Sequence, residues 1–259
     1  MAGERRATVS LGVGLGRTQA MAKRGNWLLR CLEPEVRARF GPRMRQVELK
    51  RGDVLQHPGE AVEKVYFPEG ALIGLISAMP AGDAVQTATV GWDGALGAFE
   101  ACGTRQSAFL AEVQVDGPAW TMSAEDYRRM YAASEALSTA VHKYVEILLT
   151  EARQFVACNA LHSVEARLSR SVLEALERSR DGDSLPVTQE ALAQMLGVQR
   201  TTVTAAISQL QAAGALRSTR GVIEVLEPQA LEDAACCCRD ILRTARAEIY
   251  ASGETACDD

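Results

Sequence analysis

Gly197 sits between two short helix-compatible stretches, and that arrangement limits what Val187–Glu227 can become. Thr188 is a natural N-cap, because its hydroxyl can accept from an otherwise unpaired backbone N–H of the first turn. Glu190 follows where the positive end of the helix dipole favours a carboxylate. Leu192, Met195 and Leu196 form an apolar stripe, and Gly197 ends the helix because glycine enters a left-handed turn without penalty. A second helix places Val203, Ile207 and Leu210 inward at i, i+4 and i+7, leaving Arg200, Thr201, Thr204, Ala205 and Ser208 on its outer face. Beyond it, Ala215–Arg217 and Val222–Val225 alternate like strands around Ser218-Thr219-Arg220-Gly221, a hairpin with a basic tip. Two helices joined by a glycine turn and followed by such a hairpin predict a winged helix-turn-helix. Small residues on the outer face allow close approach to base edges, where a long arginine can reach guanine O6 and N7. A purely structural αα corner is the competing reading.

At 259 residues the chain has room for two domains with separate cores. Its 47% hydrophobic and 24% charged residues exclude a disordered or membrane-dominated class. A net charge of −5 argues against indiscriminate coating of polyanions, but a local basic patch is enough for duplex binding. Within Leu185–Glu227 that patch is thin, with Arg200, Arg217 and Arg220 set against Glu190, Glu224 and Glu227, so affinity should fall steeply with salt. The longest apolar run, Ala71–Met79, is far shorter than the roughly 20 residues a bilayer span needs. Residues 1–24 hold Arg5, Arg6, Arg17 and Lys23 around a short Leu11–Leu15 patch, without the core of a signal peptide. Gly12, Gly14 and Gly16 lack a preceding strand and a following Gly-Lys-Ser/Thr, so a flexible tail is expected rather than a phosphate loop. A cytoplasmic location, with no membrane partner, is expected.

From Arg45 to Trp120 the texture changes to short alternating runs: Gln46–Leu49, Val54–Gln56, Lys64–Phe67, Leu72–Ser77, Val85–Val90 and Ala111–Val115. Turn signals at Arg51-Gly52-Asp53, Pro58-Gly59-Glu60 and Ala81-Gly82-Asp83 separate them, which predicts about eight strands in a jelly roll. Short helices are expected before it, at Asn26–Leu32 and Pro34–Phe40. Between the halves, Glu135–Asn159 carries Leu137, Val141, Tyr144, Leu148 and Phe155 at steps of 4, 3, 4 and 7, a coiled-coil seam. Such a seam predicts a parallel homodimer that sets two helix-turn-helix units about 34 Å apart on successive major-groove faces. Docking of the seam on the chain's own sandwich is the alternative. A helix over Leu161–Arg178, with Val164, Leu168, Val172 and Leu176 inward, should support the DNA-binding helices after a hinge near Cys158–His162. The expected class is α+β. Its parts are a tail at 1–24, a jelly roll at 25–134, a dimer helix and hinge at 135–159, a winged helix-turn-helix at 160–227, and a C-terminal helix with an acidic tail at 228–259.

The chain has seven cysteines: Cys31, Cys102 and Cys158 isolated in sequence, Cys236-Cys237-Cys238 consecutive, and Cys257 in the acidic tail. Without a C-x2-C pair, zinc-ribbon spacing is absent and no metal site is expected. The triplet falls on a helix read over Pro228–Tyr250, with Leu231, Ala235, Cys238, Leu242 and Ala245 on one face. Buried structural thiols are expected there, a redox switch being the alternative. A metal-dependent cupin would need clustered histidines, but of three in the chain only His57 lies in the strand-rich half. No nucleophile elbow appears, so no catalytic residue is expected.

Thr188–Glu190 followed by Leu196-Gly197-Val198-Gln199-Arg200-Thr201-Thr202-Val203 resembles the helix-turn-helix of the Crp/Fnr superfamily of bacterial transcription regulators. In that family a Ser-Arg-x-Thr-Val segment opens the recognition helix. Gln199 stands at the serine position here, and Thr201 where many relatives carry glutamate. The strand-rich half resembles the same superfamily's cyclic-nucleotide-binding fold. It does so through Gly52-Asp53-Val54-Leu55-x-x-Pro58-Gly59-Glu60, Val65-Tyr66-Phe67-Pro68-x-Gly70 and Val90-Gly91-x-Asp93-Gly94-x-x-Gly97, and the whole resemblance spans Asn26 to Glu227.

The resemblance implies a dimeric regulator in which Arg200 reads a base, tuned by Thr201, Thr204 and Ala205. Thr188, Gln189, Gln199, Thr202, Arg217 and Arg220 would then hold phosphates of double-stranded DNA, with RNA polymerase as a further partner. The ligand stretch holds Gly94, Ala95, Arg105, Gln106 and Ser107. Ala95 stands where the family places its ribose glutamate, and Arg105 is one residue out of register with Gln106 in its place. A lost charge-assisted partner on each side, about 1.5–3 kcal/mol apiece, argues against cyclic nucleotide. The oxygen-sensing branch groups cysteines near the N-terminus, whereas only Cys31 lies there in this chain, so an iron–sulfur cluster is not expected. The expectation is therefore a regulator with no cofactor and an unknown effector. A cyclic-nucleotide-gated regulator and a non-DNA-binding dimer that sequesters a partner are the alternatives.

Overall fold

The computed structural model describes residues 25–80, 84–179 and 182–251. The expected 1–24 tail with its glycines, the Ala81-Gly82-Asp83 turn, Arg180 and Asp181 of the polar loop, and the acidic tail with Cys257 lie outside the described residues. Two short helices, α1 (Trp27–Arg30) and α2 (Pro34–Phe40), lead into β1 (Arg45–Leu49), β2 (Val54–Gln56), β3 (Lys64–Pro68) and β4 (Leu72–Ala78). Then come β5 (Ala84–Val90), β6 (Leu110–Val115) and β7 (Gly117–Ser123). All pair antiparallel in two sheets, ordered β1-β7-β3 and β2-β6-β4-β5. Leu49 and Ala119 of the first sheet meet Ile73, Leu75, Val90 and Val113 of the second in a shared core.

The six strands read from alternation are present, within one residue at each end, and β7 joins them as the seventh among the described residues, where about eight were expected. Strand β7 is the centre of its sheet, yet Gly117-Pro118 at its start reads as a turn, which hides it in the sequence. The glycine is there for a close approach: a Cβ on Gly117 would lie 2.5 Å from the Ala71 backbone nitrogen.

Helix α3 (Ala124–Ala133) follows, and then α4 (Glu135–Leu161), where the Ser134 hydroxyl accepts from the Leu137 N–H at 2.9 Å. Helix α4 runs unbroken until His162, whose extended backbone (φ −112°, ψ 148°) ends it. Helix α5 (Val164–Ser179) starts two residues later, so the turn between them occupies His162–Ser163, the far end of the expected hinge.

The expected dimer seam is used inside the chain instead. Leu137, Val141 and Tyr144 are buried in one core with Trp27, Phe40, Phe67 and Tyr127, and Leu148 packs against its edge. Phe155 lies beneath the Arg170 guanidinium, 4.5 Å from the ring centroid. The periodicity located a buried face of α4 correctly but not what covers it. The adjacent face, about a quarter turn around the helix, exposes Val145, Leu149, Ala152 and Val156, at steps of 4, 3 and 4.

The C-terminal half comprises β8 (Ser184–Leu185), α6 (Gln189–Leu196), α7 (Arg200–Ala212), β9 (Leu216–Thr219), β10 (Val222–Val225), α8 (Pro228–Ala234) and α9 (Cys238–Ala251). Its core unites Leu168 and Val172 of α5 with Leu192, Leu196, Val203, Ile207, Leu210 and Ile223, and it continues into Leu72 and Val115 of the jelly roll. The single helix expected over Pro228–Tyr250 is two helices. Ala235 takes an extended conformation (ψ 148°), and the Cys236 N–H bonds to the Ala166 carbonyl of α5 at 3.2 Å, which turns the chain.

An ion network closes the junction of the halves. Arg178 of α5 bonds Asp93 in the loop after β5 (3.2 Å) and Glu151 of α4, and Arg246 of α9 donates to the same Glu151 at 2.7 Å. Burial works against the Arg178 cation, but the Asp93 and Glu151 carboxylates outweigh it and hold its pKa well above the ordinary value. No helix among the described residues is long and apolar enough to cross a membrane.

Candidate nucleic-acid interface

The helix-turn-helix forms for the local reasons its residues suggest. The Thr188 hydroxyl accepts from the Ala191 N–H at 3.1 Å, and Gly197 closes α6 in the left-handed conformation (φ 61°, ψ 42°), bonding back to the Ala193 and Gln194 carbonyls. The Arg167 guanidinium donates to the Leu196 carbonyl, so α5 grips the end of α6. Helix α7 begins at Arg200 after Gln199, whose side chain makes no cap hydrogen bond. Val203, Ala206, Ile207 and Leu210 are buried, while Arg200, Thr201, Thr202, Thr204, Ala205 and Ser208 are exposed.

The Thr204 hydroxyl is within bonding distance of the Arg200 carbonyl (3.0 Å) and of Gln189 Oε1 (2.9 Å). Its one proton therefore serves the protein, and it offers a ligand its methyl group and remaining lone-pair capacity. The same contact pins Gln189, at the start of α6, against the second turn of α7. Positive helix-dipole density at the start of α7 adds to the Arg200 charge on an exposed, anion-favouring end.

The hairpin is tighter than expected. Strand β9 extends to Thr219, which pairs with Val222, so the turn is only Arg220-Gly221. Both have positive φ (42° and 84°), the signature of a type I′ turn. Arg220 is exposed at the tip, whereas Arg217 pairs across the hairpin with Glu224 at 3.4 Å. That exposed pair is worth at most about 1 kcal/mol, so a phosphate can compete for Arg217.

The start of the expected ligand stretch is covered by α4. A Cβ on Gly94 would fall 2.2 Å from the Tyr144 ring, and Ala95 is buried in the core beneath α4. Arg105 and Gln106 are exposed, and the Ser107 hydroxyl turns in to the Phe109 carbonyl at 2.8 Å. A cavity of about 250 Å³ lies elsewhere, between β4, β5, α4 and α5, lined by Gln86, Gln114, Phe155, Arg170, Glu174 and Arg178 among others. None of the five expected ligand residues lines it. Within that stretch, Glu100 is buried with both carboxyl oxygens unpartnered, and burial raises its pKa to about 7. The sequence assigns Glu100 no role within the stretch, since nothing local marks a glutamate as buried.

Cysteines isolated in sequence meet in space. Cys158 Sγ lies 3.5 Å from Cys236 Sγ, and Cys238 Sγ lies 3.4 Å from His162 Nδ1. Cys236 and Cys238 are buried, as expected of the triplet, and so is Cys158, but Cys237 is exposed. Spacing along the chain could not reveal the group, because its members come from segments more than seventy residues apart.

Residues 166–234 match the family profile of the Crp-like helix-turn-helix domain. Among solved structures, FixK2 from Bradyrhizobium japonicum is similar with a TM-score of 0.64 at 16% identity, over 75% of this chain and 98% of that one. TTHB099, a CRP-family transcriptional regulator from Thermus thermophilus, is similar at 0.62 and 18% identity, over 73% and 96%. TTHA1359, a CRP/FNR-family transcriptional regulator from the same organism, is similar at 0.60 and 24% identity, over 74% and 98%. No curated protein matches the sequence.

Proposed function

We infer that this chain, which has the fold of the Crp/Fnr transcription regulators and their helix-turn-helix domain, is a sequence-specific DNA reader acting as a homodimer on an inverted repeat. The observation that carries the reading is the exposed opening face of α7, held by the capped α6 and flanked by a hairpin with Arg220 at its tip. Arg200 reads a base, with Thr201, Thr204 and Ala205 tuning the contact. Thr188, Gln189, Gln199, Thr202, Arg217 and Arg220 hold phosphates. RNA polymerase is the protein partner that such a promoter-bound regulator addresses.

The exposed Val145, Leu149, Ala152 and Val156 stripe of α4 supports the dimer, since two such stripes can pair as a parallel coiled coil. Action without cyclic nucleotide is supported by Ala95 at the ribose position and by the Tyr144 ring over Gly94. The test is selection from random duplex DNA with ligand-free protein, with Arg200→Ala alongside. An inverted repeat is expected, and the variant should relax its preference at a cost of about 1–3 kcal/mol per half-site. An unchanged preferred sequence in the variant would remove Arg200 from the reading role. If nothing is enriched, thermal-shift titration with cyclic AMP and cyclic GMP decides whether an effector is missing.

A further inference from the structure

The link between α8 and α9 and the end of α4 bring four soft donors to one point. Cys158 lies in the last turn of α4, His162 ends that helix, and Cys236 and Cys238 flank the start of α9. One donor atom from each lies within 4.8 Å of all the others. A tetrahedral zinc ion with Zn–S near 2.3 Å and Zn–N near 2.0 Å sets S···S edges of about 3.8 Å and S···N edges of about 3.5 Å. The 3.5 Å Cys158–Cys236 and 3.4 Å Cys238–His162 separations are close to those edges.

We propose that Cys158, His162, Cys236 and Cys238 form a site for a tetrahedral, thiophilic divalent cation of the zinc class.

The surroundings suit the charge such a site carries. Three thiolates and a neutral imidazole around a divalent ion leave one net negative charge. Arg167 and Arg170 of α5 are both buried beside Cys158 and Cys236, each with an unpartnered Nε. Gln154 donates an N–H to Cys238 Sγ at 3.0 Å, the kind of outer contact that orients a ligating sulfur. His162 turns Nδ1 toward Cys238, and its Nε2 lies 3.8 Å from the exposed Cys237, which is outside the donor set. Binding forms three metal–sulfur bonds and one metal–nitrogen bond and releases the three thiol protons to solvent. Since the ligands come from both sides of the His162–Ser163 turn, the ion ties the end of α4 to the C-terminal side of the DNA-binding half.

The test uses the full chain, reduced and freed of metal by chelation, then titrated with Co²⁺ and competed with Zn²⁺. One Co²⁺ per chain is expected, with sulfur-to-cobalt charge transfer in the near ultraviolet and the intense visible bands of a tetrahedral site, both abolished by Zn²⁺. His162→Ala and Cys238→Ser should each weaken binding more than about tenfold, as loss of a supporting group alone can. Cys102→Ser should bind like the parent chain. His162 is only half-buried, so His162→Ala remains folded by circular dichroism and keeps the comparison valid. An octahedral cobalt spectrum, unchanged affinity in both variants, or a Cys158–Cys236 disulfide persisting in reducing buffer in place of metal uptake would overturn the proposal.

Discussion

Glu100 has two buried carboxyl oxygens without partners, and burial lifts its pKa from 4.5 to about 7. The folded value lies above the unfolded one, so the native state holds the proton more tightly. Stability is therefore greatest below the unfolded pKa, falls as pH rises toward 7, and stays low beyond it. A shift of that size corresponds to about 3 kcal/mol. Glu100→Gln should recover up to about that much above neutrality and flatten the pH dependence between the two values. Urea denaturation across pH measures it, and an unchanged slope would mean the carboxyl is hydrated. Arg220 invites a separate test because it sits at φ 42° in the type I′ turn. Asparagine tolerates that conformation, so Arg220→Asn should keep the hairpin, weaken all DNA sequences alike and reduce the salt slope by about one per binding unit. A sequence-dependent loss would make Arg220 a base reader. Thr188, Gly197 and Arg200 were legible because caps, turns and helix starts depend on neighbours within four residues. Glu100 was not, since its burial is set by packing against distant elements.

Helix α4 has apolar residues on two faces, and this is why its periodicity named a seam without saying whose. The buried face holds Leu137, Val141 and Tyr144, and the exposed one Val145, Leu149 and Val156. The two sets differ by little more than one position along the helix, so a rotation of about 100° separates an intramolecular core from a dimer seam. Leu137→Ala should destabilise the fold by about 2–5 kcal/mol. Leu149→Glu should leave unfolding nearly unchanged and yield monomers in sedimentation velocity. A dimer that survives Leu149→Glu would place the interface elsewhere. Strand β7 teaches a related point: Gly117-Pro118 reads as a loop, but Gly117 is required by the 2.5 Å approach of Ala71, a contact made across the sheets.

Four segments meet at Glu151: α4 itself, Arg178 from α5, Arg246 from α9 and, through Arg178, Asp93 of the jelly roll. Two cations and two anions balance there, so the network stands while complete and becomes costly once broken. Glu151→Ala leaves Arg246 without its acceptor and Arg178 with Asp93 alone, and should cost about 3–5 kcal/mol, with Glu151→Gln milder because it still accepts a hydrogen bond. Thermal melting of both variants reads the effect, and equal losses would assign the cost to packing instead of charge. The same junction holds the cavity of about 250 Å³, below the roughly 300 Å³ where ligand pockets begin. Alternation, capping residues and glycine turns were enough to establish the jelly roll, the long helix and the winged helix-turn-helix, because each depends on short-range preference and periodicity. Only tertiary packing decided which face of α4 is inside, that the helix read over Pro228–Tyr250 breaks at Ala235, and that Cys158 and His162 meet Cys236 and Cys238. Those outcomes depend on contacts between elements distant in sequence, such as Cys236 with Ala166 and Cys158 with Cys236, and no local pattern carries them.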